Sequence, residues 1–216
     1  WEAAKVPFLN EFVDMVNSKV GQGYVWGGQN DDLLTKEKLD NFVNIFGREH
    51  YYFDGYSAEK WIGKEYYDCS GLIVYALRKL GLIADNADYA ADGLYYSLCI
   101  PISKDDLKIG DLCFRKAGNS IVHVGMYAGN NVVTHARGTA YGVVQTELFE
   151  SFNLFGRLKF FETETYQEKS WEQKLGEDAI RSLAKKGKIN NPDEWLAKDL
   201  TEPTPLWLFF EMCNRM

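Results

Sequence analysis

Residues 68–81 read DCSGLIVYALRKLG, a sequence with the apolar spacing of a helix. Apolar side chains recur at helical spacing from Leu72 to Leu80, which predicts a helix over residues 69–80. Gly81 fits the position just after the last helical residue, where a glycine often ends a helix. The chain therefore contains a helix that begins at a cysteine and presents an apolar stripe to a core.

Cys69 lies at the first position of this predicted helix. Unpaired backbone N–H groups and the positive end of the helix dipole face that position, and both stabilise a thiolate. The thiolate is the nucleophilic form of cysteine, so Cys69 is a candidate nucleophile. A small buried hydrophobe is the alternative interpretation of a free cysteine, and placement alone does not separate the two.

Helices are predicted before this segment and strands after it. Residues 4–20 repeat apolar positions at helical spacing, and five short strands with glycine-containing turns are predicted between residues 111 and 161. This order predicts an α+β domain, with N-terminal helices packed on an antiparallel meander. Residues 29–67, rich in charged and aromatic side chains, form an enlarged insertion that we expect to lie on the surface.

The chain divides into three predicted parts. The main domain covers residues 1–161, a polar linker covers 162–170, and a small helical segment covers 171–216. The last predicted helix of that segment runs over residues 205–213.

Composition excludes several classes of protein. The 216 residues include 31 acidic and 24 basic side chains, a net charge of −7, which argues against nucleic acid as a partner. No apolar stretch approaches the roughly 18–20 residues that span a bilayer, so we expect no membrane span. The four cysteines lack CxxC spacing, which predicts free thiols.

His123 and His135 lie in successive predicted strands. A three-residue loop over residues 128–130 would place them directly opposite each other on one face, with Cβ atoms about 4.5–5.5 Å apart. A two-residue turn would instead put the rings on opposite faces. Two imidazoles on one face suit a cysteine nucleophile, because one can take the thiol proton while the other orients the first.

A zinc site built from Cys69, His123 and His135 is the chemical alternative. These residues lack a compact ligand spacing, and the sequence offers no obvious fourth ligand. We therefore expect no metal here, and nucleophilic catalysis by Cys69 with the two histidines needs no organic cofactor.

Five short motifs follow one another along the chain: YVWGG at 24–28, DCSGLIVY at 68–75, IGDL at 109–112, HVGMY at 123–127 and HA at 135–136. In this order they resemble the NlpC/P60 family of cell-wall cysteine peptidases, over roughly residues 4–161. The resemblance implies a papain-like core with a cysteine-bearing helix on an antiparallel sheet. It also implies hydrolysis of a stem-peptide bond in bacterial peptidoglycan, often the bond between a D-γ-glutamyl residue and a diamino acid.

The resemblance assigns a role to individual residues. Cys69 matches the nucleophile, His123 the general base and His135 the residue that orients it. The substrate-binding residues that it implies are Tyr24, Trp26, Asp68 and Ser70. Tyr24 would hydrogen-bond at the oxyanion site, whereas Asp68 and Ser70 would contact a free amine of the substrate; a helix N-cap is the alternative role of Asp68.

Peptidoglycan stem peptides are the partner that the resemblance implies. The protein would then act secreted or at the cell wall, either as a bacterial enzyme or as a phage-encoded one released at lysis, although no targeting segment is visible. The tail after residue 165 is similar to small helical segments of phage lysins. Two alternatives stay open: a wall-binding module with an unused triad, and an amidase or acyltransferase of the same fold.

Overall fold

A computed structural model describes residues 8–53, 55–196 and 200. The chain forms two compact units, Trp1–Tyr166 and Gln167–Met216. The helices are α1 (Phe8–Ser18), α2 (Lys36–Phe46), α3 (Cys69–Lys79), the single turn α4 (Ala91–Gly93), α5 (Trp171–Lys185) and α6 (Pro192–Leu196). The strands are β1 (Gly23–Tyr24), β2 (Gln29–Leu33), β3 (Tyr52–Phe53), β4 (Tyr56–Ser57), β5 (Glu65–Tyr67), β6 (Cys99–Ile102), β7 (Leu112–Ala117), β8 (Ser120–Gly129), β9 (Val132–Gly138), β10 (Gly142–Glu147) and β11 (Leu154–Leu158).

The main sheet has six strands in the order β10-β9-β8-β7-β11-β6, with every neighbouring pair antiparallel. Strands β7 to β10 form the meander that alternating apolar residues predict, and the α+β class is confirmed. Two details differ from the prediction. The last strand is β11, three residues shorter at its C-terminal end than the predicted 156–161, because Lys159–Phe161 form a 3-10 turn. Strand β6, which contains Pro101, was not predicted, and it pairs with β11 at the sheet edge.

Helices α1 and α3 pack against one face of this sheet and bury the main core. Phe12 of α1 and Leu72 of α3 are fully buried together with Phe114 and Met126 of the sheet. The alternation of β7 and β8 sends these two sheet residues to the helix side. Burial of this shared apolar surface is the main force that holds α3, and with it Cys69, against the sheet.

The insertion over residues 29–67 keeps many exposed side chains, and it also builds a small core of its own. Strands β1, β5 and β2 form a three-stranded sheet, and seven buried residues pack around it: Val25, Leu34, Leu39, Tyr51, Ala58, Trp61 and Tyr66. The indole N–H of Trp61 donates to the carbonyl of Thr139 at 2.8 Å, which ties the insertion to the β9–β10 turn.

Two backbone segments approach closely where α3 begins. The amide of Asp68 donates to the carbonyl oxygen of Gly28 at 2.8 Å. A Cβ on Gly71, one turn further along the chain, would lie 2.0 Å from that same carbonyl oxygen. Only a glycine at position 71 permits this contact, so the segment after β1 is seated directly on the first turn of α3.

The second unit contains α5 and α6. Glu177 of α5 is buried and accepts a hydrogen bond from Gln173 at 2.9 Å and one from Lys169 at 3.1 Å. The predicted helix over 205–213 lies outside the described residues. Among the described helices of both units, none has the length and apolar run needed to cross a bilayer.

We expect Gly71→Ala to lower the free energy of unfolding by about 3 kcal/mol, because the added methyl group overlaps a backbone oxygen that cannot move alone. Urea unfolding followed by circular dichroism measures the change. Gly93→Ala is the matched control, since its backbone is helical and its new Cβ would meet only the Tyr89 ring at 3.2 Å. Equal stability of the two variants would contradict the assigned contact.

Candidate active site

The carboxylate of Asp68 organises the start of α3. One oxygen accepts the amide of Gly71 at 2.7 Å and the hydroxyl of Ser70 at 3.1 Å, which makes Asp68 the N-cap. The other oxygen accepts the amide of Gly27 at 2.9 Å. Burial raises the pKa of the Asp68 carboxyl, against the effect of these three hydrogen bonds. Asp68 and Ser70, both predicted to bind substrate, are thus bonded to each other in the free protein.

The Cys69 thiol is half-buried at the helix start, where backbone N–H groups of Val124, Ser70 and Cys69 itself face the sulfur. Burial, together with the negative charge of Asp68, nevertheless raises the pKa of the Cys69 thiol to about 12. The backbone N–H groups act in the direction that the sequence predicts, toward the thiolate, but theirs is the smaller effect in the free protein. The cost of desolvating a sulfur anion outweighs the helix N-terminus here.

The β8–β9 connection differs from the predicted three-residue loop. Asn130 and Asn131 form a two-residue turn with φ of 50° and 61°, the left-handed values that a type I′ hairpin requires. Tyr127 pairs with Val133, but Gly129 pairs with Val132, so Ala128 is an extra residue in β8. This β-bulge shifts the pairing by one residue.

The turn and the bulge together bring the two histidines to one face. A two-residue turn alone would separate them, and the extra residue in β8 reverses that effect. The predicted direct opposition is wrong, because the pairing of Met126 with Thr134 makes His123 and His135 diagonal neighbours. Gly125 lies between them, and a Cβ there would stand 2.8 Å from the Cβ of His135.

His123 and His135 are both buried, and a 2.7 Å hydrogen bond joins Nε2 of His123 to Nδ1 of His135. Phe152 packs on both rings, with centroids 5.8 Å and 5.6 Å away. The pair is therefore held by one polar contact and one apolar cover.

A chain of hydrogen bonds assigns the tautomers of the two rings. The Thr146 hydroxyl donates to the carbonyl of Glu147, so its oxygen is left to accept from Nε2 of His135, 3.1 Å away. His135 Nδ1 then carries the lone pair, and it accepts the Nε2 proton of His123. Nδ1 of His123 is consequently unprotonated, and no hydrogen bond among the described residues occupies it.

Both histidines are neutral near pH 7. Burial, followed by the neighbouring His135 ring and the positive charges of Arg115 and Arg137, lowers the pKa of His123 to about 3. Burial and the same two arginines lower the pKa of His135 to about 4. His123 is therefore an uncharged base whose Nδ1 lone pair is free. The next residue in β8 is Val124, whose backbone N–H faces the Cys69 sulfur.

The two aromatic residues predicted to bind substrate differ in exposure. Tyr24 is buried beside Cys69, and burial raises the pKa of its hydroxyl, which keeps the proton and remains a donor. Trp26 is 45% exposed and stacks on His50 with ring centroids 4.9 Å apart. The sequence assigned no role to His50, which therefore supports the exposed Trp26 ring. Trp26 directly precedes Gly27, whose amide Asp68 accepts.

Several residues that contact or act on the two histidines were not predicted from the sequence: Thr146, Phe152, Gly125, Arg115 and Arg137. Alternation along β10 puts Thr146 on the same face of the sheet as His135. The sequence could have predicted this only if the pairing of β9 with β10 had been known. As for metals, the described part of the chain has no group of three His, Cys, Asp or Glu side chains arranged to hold an ion. Both ring nitrogens of His135 are engaged, by His123 and Thr146.

Known proteins share parts of this chain. The "Probable endopeptidase p60" of Listeria welshimeri is 34% identical over 89 residues, which cover 37% of this chain and 16% of that protein. The "Murein DD-endopeptidase MepS/Murein LD-carboxypeptidase" of Escherichia coli K12 is 28% identical over 128 residues, 55% of this chain and 64% of that protein. The chain thus spans about one sixth of the first relative and slightly less than two thirds of the second.

Among solved structures, the peptidoglycan hydrolase RipB of Mycobacterium tuberculosis superposes with a TM-score of 0.50 at 22% identity, covering 69% of this chain and 64% of that one. This likeness supports the fold. The NlpC/P60 family model matches residues 21–176, a range that includes Tyr24, Cys69 and both buried histidines. With most of its length matched, and with the resemblance of its motifs thereby confirmed, this chain belongs to the NlpC/P60 family.

Proposed function

We propose that this protein is a cysteine endopeptidase that hydrolyses an amide bond in peptidoglycan stem peptides. The observation that carries the proposal is the hydrogen-bonded pair of histidines. The free Nδ1 of this pair belongs to His123, and the next residue, Val124, directs its backbone N–H toward the Cys69 sulfur. A thiol, a neutral base and an orienting group are the parts that nucleophilic acyl transfer requires. The domain that carries them would be the unit before the polar segment at residues 162–170.

The first half of the reaction begins from uncharged partners. The Cys69 sulfur attacks the carbonyl carbon while its proton passes to Nδ1 of His123. His135 accepts the Nε2 proton of His123 as a hydrogen bond throughout, which stabilises the imidazolium as it forms. A thioester then forms as the C–N bond breaks, and His123 returns the proton to the leaving amine.

The second half hydrolyses the thioester. Water, deprotonated by the same Nδ1, attacks the acyl carbon, and the thiol leaves with the proton. The oxyanion of each tetrahedral intermediate would be met by the backbone N–H of Cys69 and by the Tyr24 hydroxyl. Tyr24 suits this role because its raised pKa keeps it a donor at every pH at which the protein would work.

The bond that we propose joins a D-γ-glutamyl residue to the following diamino acid. The acyl side of the cleft would be lined by Trp26, Asp68 and Ser70. Asp68 and Ser70 flank Cys69 in the chain, and Trp26 precedes Gly27, whose amide donates to Asp68. Two relatives carry names of endopeptidases, and one of those names specifies murein, which supports the substrate class. The protein would accordingly act at the cell wall.

We expect Cys69→Ala to abolish release of stem-peptide fragments, because the proposed acyl intermediate forms on the Cys69 sulfur. Purified peptidoglycan of the diaminopimelate and lysine types is digested, and mass spectrometry reads the soluble products and names the bond. Cys99→Ala is the control, since Cys99 is a buried core thiol. If wild type and Cys69→Ala both bind the wall and neither releases products, the proposal fails and a binding module replaces it.

We expect Thr146→Val to lower kcat about tenfold with little change in KM, because His135 loses the acceptor that fixes its tautomer. Thr146→Ser should restore activity. In ¹⁵N-labelled protein, long-range ¹H–¹⁵N spectra should show Nε2 protonated on both buried histidines and a mixed tautomer in Thr146→Val. Loss of activity with unchanged tautomers would assign Thr146 a purely structural role.

We expect alkylation of Cys69 by iodoacetamide to accelerate about tenfold per pH unit from pH 6 to pH 9. A thiol with a raised pKa, about 12, holds less thiolate at any given pH, and that fraction keeps growing over this whole range. A short peptide with one cysteine, whose thiol pKa is near 8.5, is the reference. A rate that is already constant between pH 5 and pH 7 would indicate a resting thiolate–imidazolium pair and contradict the neutral assignment.

A further inference from the structure

Two arginines flank the catalytic base across the strands of the main sheet. Arg115 of β7 pairs directly with His123 of β8, and paired residues present their side chains on one face. Arg137 follows His135 by two residues in β9, which places it on the histidine face as well. The positive charges of both arginines act on His123, so the two side chains lie near that ring.

Among the residues that the structure describes, neither arginine has a partner of opposite charge. Arg157, by contrast, binds Asp111 at 2.8 Å, and Arg181 lies 3.9 Å from Glu177. Within the described residues, the guanidinium groups of Arg115 and Arg137 make no ion pair and no hydrogen bond. The net charge of the chain is −7, yet two exposed arginines with no ion pair in the described part of the chain lie beside the buried His123. Their guanidinium groups are therefore available to bind an anion.

Arg137 is also held in place by its neighbours. Its guanidinium lies 4.1 Å from the centroid of the Tyr141 ring and 5.6 Å from that of Phe149. Stacking on aromatic rings fixes the plane of a guanidinium while its N–H groups stay free at the edge. The group is therefore oriented in advance for a planar anion.

The charges that act on the base are all positive. Arg115 and Arg137 both act on His123 and on His135, and Arg115 acts on Tyr24 too. Arg115 thus lies within electrostatic reach of three groups of the site. Within the described residues, the charged side chains that lower the pKa of the two histidines are these arginines, so an anion bound here would meet positive charge.

We propose that Arg115 and Arg137 form a subsite that binds a free carboxylate of the substrate next to the scissile amide. The inference rests on the proposed function and deepens it by naming the substrate class: peptides that are anionic at the reacting residue. A γ-glutamyl linkage uses the side-chain carboxyl of glutamate and leaves the α-carboxyl free, three carbons from the scissile carbonyl. A guanidinium binds such a planar carboxylate through two parallel hydrogen bonds.

Two synthetic peptides test the subsite. Both contain L-alanyl-γ-D-glutamyl-diaminopimelate, and they differ only at the α-position of the glutamyl residue, which is a carboxylate in one and a carboxamide in the other. Turnover of each is measured with wild type, Arg115→Gln, Arg137→Gln and Arg115→Lys. Arg181→Gln, which loses the same charge on α5, is the matched control.

We expect wild type to cleave the carboxylate peptide with a kcat/KM about 10- to 100-fold above that of the carboxamide, the range for a hydrogen bond to a charged group. Arg115→Gln and Arg137→Gln should lose this preference by slowing only the carboxylate peptide. Arg115→Lys should keep part of it, and Arg181→Gln all of it. Equal cleavage of both peptides by wild type would overturn the subsite while leaving the proposed function intact.

Binding separates the subsite from the chemistry. In Cys69→Ala, calorimetry should show tighter binding of the carboxylate peptide, and adding Arg115→Gln should remove the difference. That result supports the subsite even if wild type cleaves neither peptide, an outcome that would count against the proposed function alone. Equal affinity of both peptides, or no binding of either, would overturn the inference.

Discussion

The site depends on one buried carboxylate, that of Asp68. Its two oxygens collect the amides of Gly27 and Gly71 and the hydroxyl of Ser70, so one side chain joins the segment after β1 to the first turn of α3. The same junction brings the Gly28 carbonyl to within 2.0 Å of where a Cβ on Gly71 would stand. The junction adds to the β1–β5 pairing of Tyr24 with Tyr67 and to the packing of α3 on the sheet, which also hold this part of the site.

Local signals predicted the elements that carry the chemistry. Helical spacing and Gly81 were enough for α3, and alternation was enough for the meander from β7 to β10. The pairing of the histidines was not predictable in the same way. It depends on Ala128 being an extra residue, and a bulge is decided by how two strands meet, not by the residues of one of them.

The protonation states were also beyond local reasoning. A helix N-terminus alone lowers the pKa of a cysteine, but burial and the charge of Asp68 raise the pKa of Cys69 by more. The burial of one side chain cannot be predicted from local sequence. The same holds for the histidines, whose pKa values fall because Phe152 and the sheet exclude water while two arginines repel a proton. Because the Cys69 thiol and the His123 ring are both neutral at rest, they form no ion pair that substrate binding would have to desolvate.

The bulge in the β8–β9 hairpin makes the number of residues between the two histidines a discrete constraint. Twelve positions separate them, and the extra residue at Ala128 compensates for the two-residue Asn130–Asn131 turn. Deleting one residue from this hairpin, or adding one, would flip one ring to the far side of the sheet unless the bulge were lost or gained in the same step. Indels of odd length are therefore an all-or-none switch for the pair, whereas a change of two residues preserves it.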